Sequence, residues 1–370
     1  MGLSFSGPGA SGIQHTLTAA DSSLEFSSQT VLSNVFASDP SGRSFIAFDL
    51  GRDLPDGTPG DSTFSINEVP NAYLEAVNAA PRLPAFRSAQ STDVPRWAVS
   101  VDALVIAGNT MQTTSIIPDA PGGRALGVLD TGTSLAILPP DLVTAIYSSI
   151  PGAFLVKSPD QAILPDFWVI PCTARVSVSL VLGGQPIFID PRDLVRPLPI
   201  PLKGVNTTIC INLIPIQMKL MLPEVPSFDF LLGDVFLRNA FQLYDFNGNV
   251  EFDLTAPTQP YALLVPLTKE ITDDGEYKAA RQAALSGLPP EADITDPDFV
   301  PALQDAISSA GGMVNGNPSG AGGPEPGSSA SSPDDGKKSS VAPRTAPVGA
   351  RTFWLGSVVM FGLLLAEVVV

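Results

Sequence analysis

The sequence predicts a mainly β fold, and three observations carry that reading. Proline and glycine are abundant, at 37 and 32 of 370 residues, which supplies turns and interrupts long helices. Period-two alternation recurs. In RVSVSLVLGGQPIFID, Val176, Val178, Leu180 and Leu182 alternate with Arg175, Ser177, Ser179 and Val181, and Gly183-Gly184 can turn the chain back. FQLYDFNGNVEFDL reads as a second hairpin, with Asn247-Gly248 supplying the positive φ angles of a type I′ turn. Helical signals are few. The clearest is PPDLVTAIYSSI, with prolines in its first turn and Leu142, Val143, Ile146, Tyr147 and Ile150 on one face.

Length and composition bound the rest. A chain of 370 residues suggests about two to three domains or lobes. With 44% apolar and 15% charged residues there is ample material for a large core. The formal net charge of −17 argues against a nucleic-acid partner, because phosphate would be repelled. One histidine and two cysteines cannot make a four-ligand zinc site, so no metal or cofactor is expected. A Ser-His-Asp triad would have to use His15, and its surroundings, PGASGIQHTL, do not resemble a nucleophile elbow. Cys172 and Cys210 fit one disulfide formed in an oxidising compartment.

Four segments follow from the changes in character along the chain: 1–94, 95–267, 268–351 and 352–370. The third opens on a charged, helix-tolerant stretch and becomes rich in Gly, Ser, Pro and Ala, which reads as a disordered linker or stalk. The last, TFWLGSVVMFGLLLAEVVV, is an apolar tail. Small residues and a polar spacer before it fit a GPI-attachment signal, while a membrane helix and a buried helix stay open as alternatives. The opening MGLSFSGPGASGIQ has neither a basic n-region nor an apolar h-region, so no signal peptide is expected there. Yet the cysteine pair, the sequon at Asn206-Thr207-Thr208 and the tail all point to the secretory pathway and the cell surface.

The chemistry concentrates in ALGVLDTGTSLAILPP, residues 125–140. An apolar strand ends at Val128 and Leu129, and Asp130 sits where it opens into a loop. Gly132 lets the backbone approach closely. Thr131, Thr133 and Ser134 offer hydroxyls and N–H groups that can fix the carboxylate. Such a carboxylate, paired with a second at close range, can share one proton with it. The ionised member then takes a proton from water while the protonated member donates to a carbonyl.

These motifs resemble the C-terminal lobe of a pepsin-like aspartic protease. The family's lobe has an apolar strand, D-T-G-[ST], and later an apolar-apolar-Gly element that threads a psi-shaped loop. Here Leu231, Leu232 and Gly233 match that element, and Asp234-Val235-Phe236-Leu237-Arg238 matches the G-D-V-F-[IL]-R continuation. Cys172 and Cys210 stand where that lobe's disulfide is expected. Trp97 and AVSVDALVIAGN resemble the strand pair before the loop. Upstream, Met1-Gly2-Leu3-Ser4-Phe5 is similar to the end of the first lobe's own psi-loop motif, with Gly2 as its glycine. VLSNVFASDP, SFIAFDLGRD and STFSINEVPNAYLEAV resemble the helix, interlobe strand and lobe junction that follow.

The resemblance implies a bilobal aspartic endopeptidase whose N-terminal lobe is incomplete in this chain. Residues 1–94 are then its remnant and 95–267 the catalytic lobe. Catalysis falls to Asp130, with Thr131, Gly132, Thr133 and Ser134 as its loop. The partner is a polypeptide in an interlobe cleft, and the full-length form is a monomer. The second aspartate is missing: neither Asp39-Pro40-Ser41-Gly42 nor the turn Asp245-Phe246-Asn247-Gly248 has the strand and loop it needs. A pseudo-protease that serves as a surface binding module is the alternative.

Overall fold

The computed structural model describes residues 5, 30–39, 41–52, 60–89, 95–158, 166–215, 227–248, 250, 252–253 and 255–315. In chain order the first elements are helix α1 (Val31–Ser38), strands β1 (Phe45–Asp49) and β2 (Thr63–Ile66), and helix α2 (Leu74–Ala79). Strands β3 (Leu83–Pro84), β4 (Ala98–Ser100), β5 (Ala103–Ile106), β6 (Asn109–Gln112), β7 (Leu126–Leu129) and β8 (Ala136–Ile137) lead to helix α3 (Pro140–Ser148). Strands β9 (Phe154–Val156), β10 (Phe167–Val169), β11 (Val178–Leu182) and β12 (Gln185–Ile189) precede the short helix α4 (Pro191–Leu194). Then come β13 (Val195–Leu202), β14 (Val205–Asn212), β15 (Phe230–Leu232), helix α5 (Asp234–Leu237), β16 (Ala240–Asp245) and β17 (Tyr261–Pro266). Helices α6 (Asp274–Leu285) and α7 (Phe299–Asn315) close the described chain.

The strands form four sheets among the described residues: β2-β1-β16-β17-β3, β13-β14-β10-β9, β12-β11-β5-β6 and β4-β7-β15-β8. The architecture is mainly β, as the turn-rich composition and alternating runs predict, and is consistent with a pepsin-like bilobal fold. The β11–β12 hairpin forms as read, with φ of 59° at Gly183 and 77° at Gly184, so the two glycines take up the left-handed turn. Helix α3 buries Leu142, Val143, Ile146 and Tyr147 in the main core, with Ile150 just beyond its end.

Three expectations need revision. Asn247 and Gly248 do carry positive φ, at 51° and 75°. The strand that returns beside β16, however, is β17, in register Ala240↔Pro266 to Asp245↔Tyr261, and not the NVEFDL run. β17 offers Ala262, Leu263, Leu264 and Val265 as a continuous buried stretch, so it covers β16 better than a run that alternates with Glu251 and Asp253.

The linker expected over 268–351 also starts later. The side chains described up to residue 309 belong to packed structure. Helix α6 is capped by Asp273, whose carboxylate accepts from Gly275 and Glu276 N–H at 2.8 and 3.0 Å. It buries Tyr277 and Arg281. Phe299 and Leu303 of α7 pack with Val156, Phe167, Val169, Leu198, Leu202 and Ile209 in a core of their own. Charged residues on α6 masked a segment held by two buried side chains, while Phe299, Leu303 and Ile307 at spacings of four carry a readable helical period. The rest of 268–351 and the tail 352–370 lie outside the described residues.

The line drawn between 94 and 95 falls inside a shared sheet. β1 lies between β2 and β16, and β3 pairs β17. Residues before 94 thus contribute Phe45, Ala47 and Val77 to one core with Phe241, Leu243, Leu263 and Val265.

Candidate active site

The site is built where β7 and β15 run side by side. Antiparallel neighbours can be joined by a turn, but β7 and β15 are parallel, in register Phe230↔Gly127, Leu231↔Val128 and Leu232↔Leu129. β15 also pairs antiparallel with β8, so it threads between the two arms of the loop that joins β7 to β8. Asp229 sets this register. Its N–H donates to Leu126 O at 2.8 Å, and its carboxylate accepts from Leu126 N–H, Ile116 N–H and the Ser115 hydroxyl at 2.7, 2.8 and 2.7 Å.

Gly233 makes the threading possible. A Cβ there would lie 2.1 Å from both Thr133 O and Leu135 O, so any side chain would force the loop off the strand. Its φ of −89° is open to every residue, so close approach and not backbone conformation is what demands glycine. Two hydrogen bonds then tie loop to strand: Asp130 N–H to Leu232 O at 3.0 Å and Asp234 N–H to Thr133 O at 2.8 Å.

Asp130 stands half-buried at the open end of β7. Its Oδ1 accepts from Gly132 N–H at 2.9 Å and its Oδ2 from the Thr133 hydroxyl at 2.8 Å. Each oxygen has one donor from its own loop, which holds the carboxylate plane fixed. Thr133 is buried at 4% exposure, so its hydroxyl has no competing water on that side. Thr131 and Ser134, expected to share this task, are exposed. The two bonds come from Gly132 and Thr133 because these residues face back across the turn.

Beneath the loop lies an aromatic floor. Leu129 N–H donates to Trp97 O at 2.9 Å, and the Trp97 ring packs on Phe5, Tyr244 and Phe246 at centroid separations of 4.5, 5.1 and 5.0 Å. Burial pushes the Tyr244 phenol well up, and the negative charges of Asp130 and Asp234 push it the same way. Its hydroxyl donates to Gln242 Oε1 at 2.8 Å. Asp234 lies close to the same field. Burial raises its carboxyl above the usual carboxylate range, Arg238 opposes this, and the Asp130 and Asp193 charges add to the rise.

A second polar network gathers on Asn239, whose Nδ2 also donates to Val235 O at 3.0 Å in the helix that follows Gly233. Asn239 is fully buried. Its Oδ1 accepts from Arg52 Nη2 at 2.6 Å, Asp190 N–H at 2.9 Å and Thr268 Oγ1 at 2.6 Å, and its Nδ2 donates to Asp193 at 3.0 Å. Arg52 pairs directly with Asp193 at 2.5 Å. Burial alone would raise the Asp190 carboxyl, but hydrogen bonds from the Arg192 side chain and N–H outweigh it and hold the group below its ordinary range. Sequence reasoning missed Asn239, Arg52 and Asp193, whose separations of 141 and 187 residues leave no local signal.

The other expected positions fall as follows. Cys172 and Cys210 form a disulfide that closes a separation of 38 residues. Asn206 is exposed near the start of β14. Gly2 and His15 lie outside the described residues, though Phe5 of the same opening motif is buried against Trp97. Asp39 caps the end of α1 and Asp245 is the last residue of β16, and each carboxylate accepts from a turn N–H, Ser41 at 2.8 Å and Asn247 at 2.7 Å. Among the described residues no group of three or more His, Cys, Asp or Glu side chains could hold a metal ion, and no helix is long and apolar enough to cross a membrane.

Comparison with known proteins places this site in context. Residues 86–254 match the eukaryotic aspartyl protease family model. The chain is 32% identical over 154 residues to a "Probable aspartic-type endopeptidase CTSD" of Arthroderma otae, covering 42% of this chain and 34% of that protein. It is 26% identical over 261 residues to an "Aspartic protease" of Phaffia rhodozyma, covering 66% of this chain and 58% of the relative. It is 32% identical over 98 residues to "Major aspartyl peptidase 1" of Cryptococcus neoformans var. grubii, covering 26% and 19%. The chain thus spans about a third of the length of the Arthroderma otae relative.

Proposed function

We propose that this chain is a member of the pepsin-like aspartic protease family and serves peptide-bond hydrolysis by a water activated between two aspartates, of which this sequence supplies Asp130. The observation that carries the reading is the carboxylate held by Gly132 N–H and the Thr133 hydroxyl beside the Gly233 crossing. A group pinned on both oxygens keeps its free lone pairs aimed outward, which suits a base that takes a proton from water. Two such carboxylates at close range cannot both ionise, so one holds the proton that polarises the substrate carbonyl. Thr131, Thr133 and Ser134 with Gly132 form the loop around it, and Gly2 is read as the psi-loop glycine of the other lobe.

The substrate is a polypeptide bound in the cleft between lobes, with no cofactor and a monomeric working form. The disulfide and the exposed sequon support a secretory placement, and the apolar stretch 352–370 supports attachment to the cell surface by a GPI anchor or a membrane helix. The alternative reading is a catalytically inactive pseudo-protease that acts as a surface binding module.

Two measurements separate these. Reading the native transcript upstream of Met1 for an in-frame second D-T-G-[ST] supports the protease, whereas a transcript that starts at Met1 favours the binding module. In the form that carries both aspartates, Asp130→Asn abolishes acid peptidolysis. Pepstatin-sensitive hydrolysis that survives the substitution overturns the site.

A further inference from the structure

The sequon takes no part in the proposed chemistry, and its surroundings in the fold are unusual. Asn206 follows a tight turn in which Lys203 and Gly204 have φ of 49° and 79°, and it is exposed together with Val205. Two residues on, Thr208 is 2% exposed. Its hydroxyl donates to Pro289 O at 2.7 Å, its N–H donates to Pro290 O at 2.8 Å, and its carbonyl accepts from Ala292 N–H at 2.9 Å. Every polar group of Thr208 is therefore engaged by one arm, residues 287–292, which lies alongside β14 through a parallel bridge at Glu291. The arm is anchored at three points. Glu291 Oε1 accepts from Cys172 N–H at 2.7 Å, buried Arg281 donates to Cys172 O and Val195 O at 3.1 and 3.0 Å, and Phe299 sits in the apolar cluster beyond.

We propose that Asn206 is an N-glycan acceptor and that docking of the 287–292 arm closes it, so that the sugar is added before the arm folds back. The proposal rests on the secretory placement argued above. Asn206 Nδ2 attacks the anomeric carbon of a lipid-pyrophosphate-linked oligosaccharide. A C–N bond forms, the C–O bond to pyrophosphate breaks, the lipid pyrophosphate leaves with the electron pair, and the amide loses one proton. The transferase reads the hydroxyl two residues after the asparagine, so that hydroxyl has to be free while the bond forms. In the folded chain it is not free. Pro289 follows Thr208 by 81 residues, so at ~5–20 residues per second of synthesis the acceptor is open for roughly 4–16 s before the arm exists.

The test has two parts. The full chain is secreted from a yeast behind a cleavable leader, and the peptide that contains Asn206 is mapped before and after endoglycosidase, with Asn206→Gln as control. A glycan released only from the parent chain supports the acceptor. A bare Asn206 in a secreted chain whose Cys172–Cys210 bond has formed overturns the acceptor and leaves the compartment standing. In the second part, unglycosylated folded protein is given an oligosaccharyltransferase and the lipid-linked donor. The folded chain stays unmodified, while Ala292→Pro, which removes one N–H donor to Thr208, reacts about fivefold faster. Phe299→Ala, which loosens the arm from a different anchor, accelerates it too. A folded parent chain modified as fast as the unfolded one overturns the closing role of the arm.

Discussion

Replacement of Gly233 by alanine tests the crossing on which the site depends. The added methyl would stand 2.1 Å from Thr133 O and Leu135 O, both backbone atoms that no side-chain rotation can move. To reach even 3.0 Å the loop has to part from β15 by roughly 1 Å. That displacement breaks the Asp130 N–H to Leu232 O and Asp234 N–H to Thr133 O bonds, at about 1 kcal/mol each. Overpacking adds about 1–3 kcal/mol, so the total loss is about 3–5 kcal/mol. For a body of this size the melting temperature falls by roughly 6–20 °C. Gly248→Ala is the control. Its φ is 75° and its Cβ would meet nothing within 4 Å, so only backbone conformation opposes it, at roughly 1–2 kcal/mol. Paired urea and calorimetric unfolding of the two variants decides the matter. If Gly233→Ala loses no more than Gly248→Ala, the crossing is not sterically closed and the account of the site is refuted.

Other perturbations probe the supports. Arg281→Ala leaves two buried carbonyls without their donor, costs about 2 kcal/mol and speeds proteolytic cleavage within 286–298; unchanged cleavage would show that the arm is held elsewhere. Asp234→Asn tests the raised carboxyl. Because its value in the fold lies above the unfolded one, the group's favourable contribution is complete below the unfolded pKa of about 4 and is lost as pH rises through the folded value. The asparagine variant therefore gains stability over the parent at neutral pH and loses that advantage near pH 3. A urea-midpoint difference independent of pH contradicts the assignment. Replacing both Cys172 and Cys210 with serine frees a 38-residue separation and costs about 4 kcal/mol on the chain-entropy model, read as a lower denaturation midpoint.

The parts legible in sequence are those set by near neighbours. The β11–β12 hairpin follows from alternation and two glycines, and α3 from its proline start and apolar face. The loop at Asp130 was legible in its residues but not in its bonding. Thr131, Thr133 and Ser134 stood as candidate donors, and the turn's geometry selects the Thr133 hydroxyl from among them and adds the Gly132 N–H, which residue type alone had assigned only to close approach. At 247–248 the turn was legible and its return strand was not. Which strand covers β16 depends on the burial of a whole surface, and β17 presents more continuous apolar side chain.

By itself the sequence determined a mainly β chain, one carboxylate at the end of an apolar strand, a disulfide-capable cysteine pair and no four-ligand zinc site. Those properties reside in residue type and short spacing, where local sterics and hydrophobic period act. The tertiary structure alone decided that β15 runs parallel to β7 through the loop, that Asn239 gathers Arg52, Asp190, Asp193 and Thr268, and that residues 268–309 are packed on the lobe. These contacts join residues from about 30 to about 190 positions apart. Their stability comes from desolvated hydrogen bonds and shared apolar surface, which exist only once the chain has closed on itself.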